Sequence, residues 1–148
     1  MAHQGCAPLL FRLALAMSIG DALTVKYQYD EKSKIVYVHP GDCISLSSIE
    51  EYFSELLSDE GVRPGFVEVV YFDEVRDFNF SSDEALSVQR LIANFVNQKQ
   101  YKGIVFIAKN DLQYGMARVF GSIVDEHLPV TIVRSEDESK SEIIKLHG

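Results

Sequence analysis

The sequence has no tryptophan, two cysteines and four prolines in 148 residues, and basic residues are in short supply. So few cysteines exclude a disulfide-dense scaffold, and Cys6 and Cys43 lack both CxxC spacing and a companion histidine set, so no zinc site is expected. The low proline count, with nine glycines, excludes collagen-like and low-complexity chains. No apolar run reaches the roughly 18 residues that span a bilayer. Glycine-rich phosphate loops, GxGxxG and GxSxG are all missing. The chain is therefore expected to be non-enzymatic, with no metal and no cofactor.

Acids number 22 against 14 bases, for a net charge of −8. They are concentrated: Asp42 to Glu84 holds twelve acids and only Arg63 and Arg76 as bases. Such a surface repels phosphate backbones, which excludes nucleic acid as a general partner, and it opposes docking on anionic lipid. Hydrophobic residues at 47% suffice for a core without staples. Two unpatterned thiols point to a reducing, cytoplasmic setting.

Residues 1–20 read as an apolar arm, with Leu9, Leu10, Leu13 and Ala16 on one face of a short helix and Met17 as an alternative start. The n-region has no lysine or arginine, and Arg12 interrupts the apolar stretch, which argues against a secretory signal. An apolar arm outside a complete domain needs something to rest on, so a homodimer or larger homo-oligomer is expected.

From residue 21 onward the pattern is that of one α/β domain. Leu23, Val25, Tyr27 and Tyr29 alternate with polar residues, and Ile35 to Val38 follow a polar turn, giving an antiparallel hairpin. Ile49, Tyr52, Phe53, Leu56 and Leu57 form a helical stripe, for which Ser47 and Glu50 suggest a capping box. The run Phe66 to Phe72 is apolar except for Glu68, as befits a strand covered on both faces. Ser81 and Glu84 open a second helix, packed through Leu86, Leu91, Ile92 and Phe95. Ile104 to Ala108 is a further core strand, followed by a helix with Leu112, Met116, Val119, Phe120, Ile123 and Val124 as its apolar face. Val130 to Val133 is the last strand, and Ser135 with Glu138 caps a charged helix anchored by Ile143 and Ile144. The order β-β-α-β-α-β-α-β-α predicts a mostly parallel sheet with an N-terminal antiparallel hairpin and helices packed on the sheet.

In such sheets ligands collect at the carboxyl ends of the strands. Asp73, Arg76, Asn110, Tyr114, Gly115 and Arg118 are predicted to cluster there as a ligand-binding set. Gly115, in the first turn of a helix, either lets a ligand approach free amides or relieves a tight contact with the adjacent strand. Arg118 either binds an anion or pairs with Asp73. A hydrolase would need His3, His39, His127 or His147 beside a nucleophile. His39 precedes a turn and His127 follows a helix, so neither is well placed.

The element order, the aspartate ending the central strand (Asp73) and the string Tyr114-Gly115-Met116-Ala117-Arg118-Val119-Phe120 resemble the bacterial STAS-like family, related to the anti-sigma-factor antagonist SpoIIAA. The resemblance covers about residues 22–145. It implies a non-enzymatic interaction switch, or a binder of small apolar or anionic ligands, protein partners or membranes. It also implies phosphorylation of a serine at the start of the helix after the central strand, here Ser81 or Ser82. The antagonists' Asp-Ser-Ser-Gly pattern is missing, because Asn79-Phe80 precedes these serines and Asp83-Glu84 follows them. A phosphate would meet two acids there, so a capping role for Ser81 is the stronger expectation.

Overall fold

The computed structural model describes residues 25–148. The arm at 1–20, with Cys6 and Met17, lies outside the described residues, and with it the expected self-association through the arm.

The chain runs β1 (Lys26–Asp30), β2 (Ile35–His39), β3 (Cys43–Ser45), α1 (Leu46–Ser58), β4 (Val67–Tyr71), β5 (Asp77–Asn79), α2 (Ser82–Lys99), β6 (Gly103–Ile107), α3 (Asp111–Val124), β7 (Val130–Val133) and α4 (Glu136–His147). Five strands form one sheet in the order β1-β2-β4-β6-β7. β1 and β2 are antiparallel, with Tyr27 opposite Val38, and the remaining pairings are parallel. The α/β architecture with an N-terminal hairpin is as the sequence predicts. Two strands are not evident in the sequence: β3 and β5 pair in parallel as a separate ribbon, Ile44 opposite Phe78. At three residues each they are too short to show alternation. Cys43 is fully buried at the start of β3.

Alternation along β4 divides the core. Phe66 and Val70 point to a large cluster that holds Tyr52, Phe53 and Leu56 of α1, Val88, Ile92 and Phe95 of α2, and Ala117, Phe120 and Val124 of α3. Val67 and Val69 point the other way, to a smaller cluster with Val105, Ile107 and Val133, against which Ile143 and Leu146 of α4 pack. Three helices thus cover one face and α4 part of the other. Phe66, Phe72, Phe95 and Phe106 are fully buried on the three-helix side. Each such ring contributes roughly 1.5–3 kcal/mol by leaving water.

Helix starts follow local chemistry. The Ser81 hydroxyl accepts from Glu84 N at 3.1 Å while the Glu84 carboxylate accepts from Ser81 N at 3.0 Å, the expected capping box. The box at α1 is shifted from the expected Ser47 and Glu50: Ser45 caps, and Ser48 returns the bond. Ser135 caps α4 as expected.

The face assigned to α3 holds at Met116, Phe120, Ile123 and Val124 and needs correction at two positions. Leu112 is 69% exposed and Val119 54%, whereas Gln113, Ala117, Phe120, Gly121 and Val124 are buried. Small residues share the face with the bulky ones. A Cβ on Gly121 would meet Val130 Cγ1 at 3.1 Å, so glycine there allows α3 to lie close to the sheet. Leu86 of α2 and Ile144 of α4, both read as core, are exposed as well.

Candidate functional site

The carboxyl ends of β4 and β6 and the start of α3 meet at one edge. Asp73 follows β4 and is tied to α3 twice over. Gln113 Nε2 donates to its carbonyl at 2.9 Å, and Lys109, from the turn before α3, reaches its carboxylate at 3.3 Å. Asn110 caps α3, its side-chain oxygen accepting from Gln113 N at 2.8 Å. Arg76 N donates to the Asp42 carbonyl at 2.8 Å, which fixes the β4–β5 loop beside β3. An open depression of about 700 Å³ results, lined by Asp42, Asp73, Glu74, Val75, Arg76, Asn110, Leu112 and Gln113.

The structure therefore brings together Asp73, Arg76 and Asn110 of the predicted set. It does not bring Tyr114, Gly115 and Arg118 into that lining. The Tyr114 ring lies under the Arg134 guanidinium, 4.4 Å from carbon to centroid, and Arg134 also reaches Asp111 at 2.8 Å. Gly115 is exposed, and a Cβ there would meet nothing within 4 Å, so no contact with the adjacent strand requires glycine. Arg118 is exposed and makes no ion pair among the described residues; Lys109 takes the place it was expected to hold beside Asp73. Ser82 is exposed at the first position of α2, next to Asp83 and Glu84.

A second constellation lies inside the molecule, and sequence reasoning missed it. Glu68, the second residue of β4, is only 3% exposed. Its two carboxylate oxygens accept hydrogen bonds from the Tyr52 hydroxyl on α1 and the Tyr101 hydroxyl just before β6. Tyr101 is held by stacking on Phe66 at 5.1 Å and by an edge contact with Phe95 at 5.4 Å. Tyr52 meets Tyr27 of β1 edge-on at 5.8 Å, and the Tyr27 hydroxyl donates to Asp59 at 2.7 Å. Burial raises the Glu68 carboxyl from 4.5 to about 7, against the lowering effect of the two phenol hydrogen bonds. Both phenols are in turn pushed well above their ordinary value, first by burial and then by the neighbouring Glu68 charge. Beside this cluster is a cavity of about 50 Å³, whose walls are apolar apart from Glu68 and the Tyr52 hydroxyl. The available signal was the single acid in an apolar strand run, a residue type rarely buried without a reason.

The fold so defined is a SpoIIAA-like α/β domain. An uncharacterized protein of the DUF3478 family with a SpoIIAA-like fold, from Shewanella loihica PV-4, matches it with a TM-score of 0.54 at 11% sequence identity, over 80% of this chain and 91% of that one. At that identity the likeness is one of fold. No family model matches the chain, and no curated protein matches it in sequence. Among the described residues, no helix is long and apolar enough to cross a membrane.

Proposed function

We propose that this chain is a non-enzymatic binding module of the STAS-like kind, and that it docks a protein partner at the strand-end edge. The partner's contact segment carries a basic residue beside an apolar one. The observation that carries this reading is the composition of the depression. Asp42, Asp73 and Glu74 line it, and Leu112, 69% exposed, stands in its wall. Asp83 and Glu84 in the first turn of α2 add negative charge near this edge.

A small anion is disfavoured there. Arg76 is the one cation in the lining, and Lys109 is already paired with Asp73. The amides at the start of α3 attract negative charge, but one is already capped by Asn110. A basic side chain can pair with Glu74 and share Asp73 with Lys109, and exposed Leu112 supplies apolar surface for a partner to cover.

The test is a titration of isotope-labelled protein with two short peptides, one alternating arginine with leucine and one alternating glutamate with leucine. The arginine peptide is expected to shift the amides of Asp73, Glu74, Asn110 and Leu112 saturably, and to weaken as salt rises. Shifts caused by the glutamate peptide at the same amides, or none from either, would refute this reading.

A further inference from the structure

The interior cluster plays no part in docking at the edge, yet it ties separate elements of the fold together. Glu68 is on the central strand, Tyr52 on α1, and Tyr101 in the turn between α2 and β6. Tyr27 extends the chain of contacts to β1 and, through Asp59, to the C-terminal end of α1.

Among the described residues, nothing positive faces the Glu68 carboxylate. Among the described residues it makes no ion pair, and its neighbours from each packed element are phenols or hydrocarbon. Tyr52 approaches from α1 and Tyr101 from the turn before β6. α2 contributes Val88 and Ile92, and α3 contributes Phe120. The other acids nearby, Glu55 on α1 and Asp59 just after it, act on Tyr27. A charge on Glu68 is therefore stabilised by two hydrogen bonds and by no counter-ion, in surroundings where an uncompensated charge is costly.

The cavity supplies the second half of the argument. It borders Glu68 and Tyr52 directly, and at about 50 Å³ it exceeds the roughly 10–15 Å³ that one water needs. With Glu68 protonated, the walls offer water few partners. With Glu68 ionised, the phenol bonds strengthen but leave a buried charge without a counter-ion among the described residues, so water drawn into the cavity lowers the cost of that charge and competes with the packing of α1 on the sheet.

We propose that Tyr52, Glu68 and Tyr101 form a proton-operated latch: with the proton in place α1 is held on the sheet, and on its loss water enters the cavity and α1 loosens. The device is independent of which partner docks at the edge, because none of its residues lines the depression.

The experiment is amide hydrogen exchange of the full chain at pH 6 and pH 8, corrected for the intrinsic dependence of exchange on pH. With the Glu68 carboxyl at 4.5 when released and about 7 when folded, opening of α1 should rise about tenfold over that interval. Amides of α4, on the opposite face, should not follow. Glu68→Gln, which keeps a hydrogen-bonding group and cannot ionise, should reduce the rise in α1 to less than twofold. A flat response of α1 in the unmodified chain, or an equal rise in Glu68→Gln, overturns the latch. Should Glu68→Gln fail to fold, the Glu68 carboxyl carbon is followed by NMR in the unmodified chain. Titration near 7 in step with α1 exchange supports the latch, and titration below 5 overturns it.

Discussion

Glu68 and Asp73 leave the same segment of chain five residues apart, and their surroundings are opposite. Glu68 is buried in the sheet, meets two phenols and no cation, and holds its proton up to about 7. Asp73 lies at the strand end, 44% exposed, bridged to Lys109 at 3.3 Å. The comparison teaches that position relative to the strand, inside it or just past its end, gives neighbouring carboxylates different surroundings. One inside the layer couples the fold to pH, because its charge is desolvated. One at the edge is part-exposed and screened by water, so its bridge to Lys109 contributes little to stability and can be exchanged for a partner's basic group.

The largest expected effect is the dependence of stability on pH. The folded Glu68 carboxyl titrates above its unfolded value, so its protonated form is the one the fold favours. That contribution is fully present below about 4.5 and is lost as pH rises through about 7. Across this window the unmodified chain should lose about 3 kcal/mol relative to Glu68→Gln. Urea denaturation of both proteins at several pH values between 4 and 8 measures the difference. Parallel curves would erase the contrast between the interior and edge acids.

A smaller effect is expected at Ser81, beside the docking edge. Its hydroxyl caps α2, so Ser81→Ala should cost about 1 kcal/mol. Thermal melts check this. Stoichiometric phosphate on Ser81 or Ser82 in protein taken from cells would instead make this edge a switch of the kind the antagonists use.

How much of this was legible in the sequence varied with the range of the interaction. The strand runs and the stripe of α1 follow from local periodicity, and α1 buries Ile49, Tyr52, Phe53 and Leu56 as read. The face of α3 was legible only in part. A periodicity argument weighs bulk, and so favours Leu112 and Val119. The sheet instead selects Ala117 and Gly121, because small residues permit close approach. Glu68 was visible as the one acid in its run. Its partners were not, since Tyr52 is 16 residues away and Tyr101 is 33. Tyr52 reads as one more apolar member of a stripe, and only tertiary structure shows where its hydroxyl goes. At the edge, topology correctly joined Asp73 and Asn110. It placed Tyr114 with them because the start of a helix was treated as one site, whereas helix geometry turns successive residues about 100° apart.

The smallest expected effect on stability is at the edge itself, and there the comparison is sharpest. Asp73→Asn removes a half-exposed charge from a bridge to an equally solvated lysine. Pairs of that kind contribute roughly 0–1 kcal/mol, so the change in stability should stay within about 0.5 kcal/mol. Arg118→Ala should be as mild, because that side chain is exposed and unpaired among the described residues. The two variants should separate in binding. Asp73 lines the depression and Arg118 does not, so Asp73→Asn should weaken the arginine peptide several-fold while Arg118→Ala leaves it unchanged. Equal losses in both would mean that the peptide senses only net charge, and the edge would then lose its claim to be a defined docking site. A loss in Asp73→Asn alone, with unchanged melting, would place recognition in the depression and leave control by the proton to Glu68.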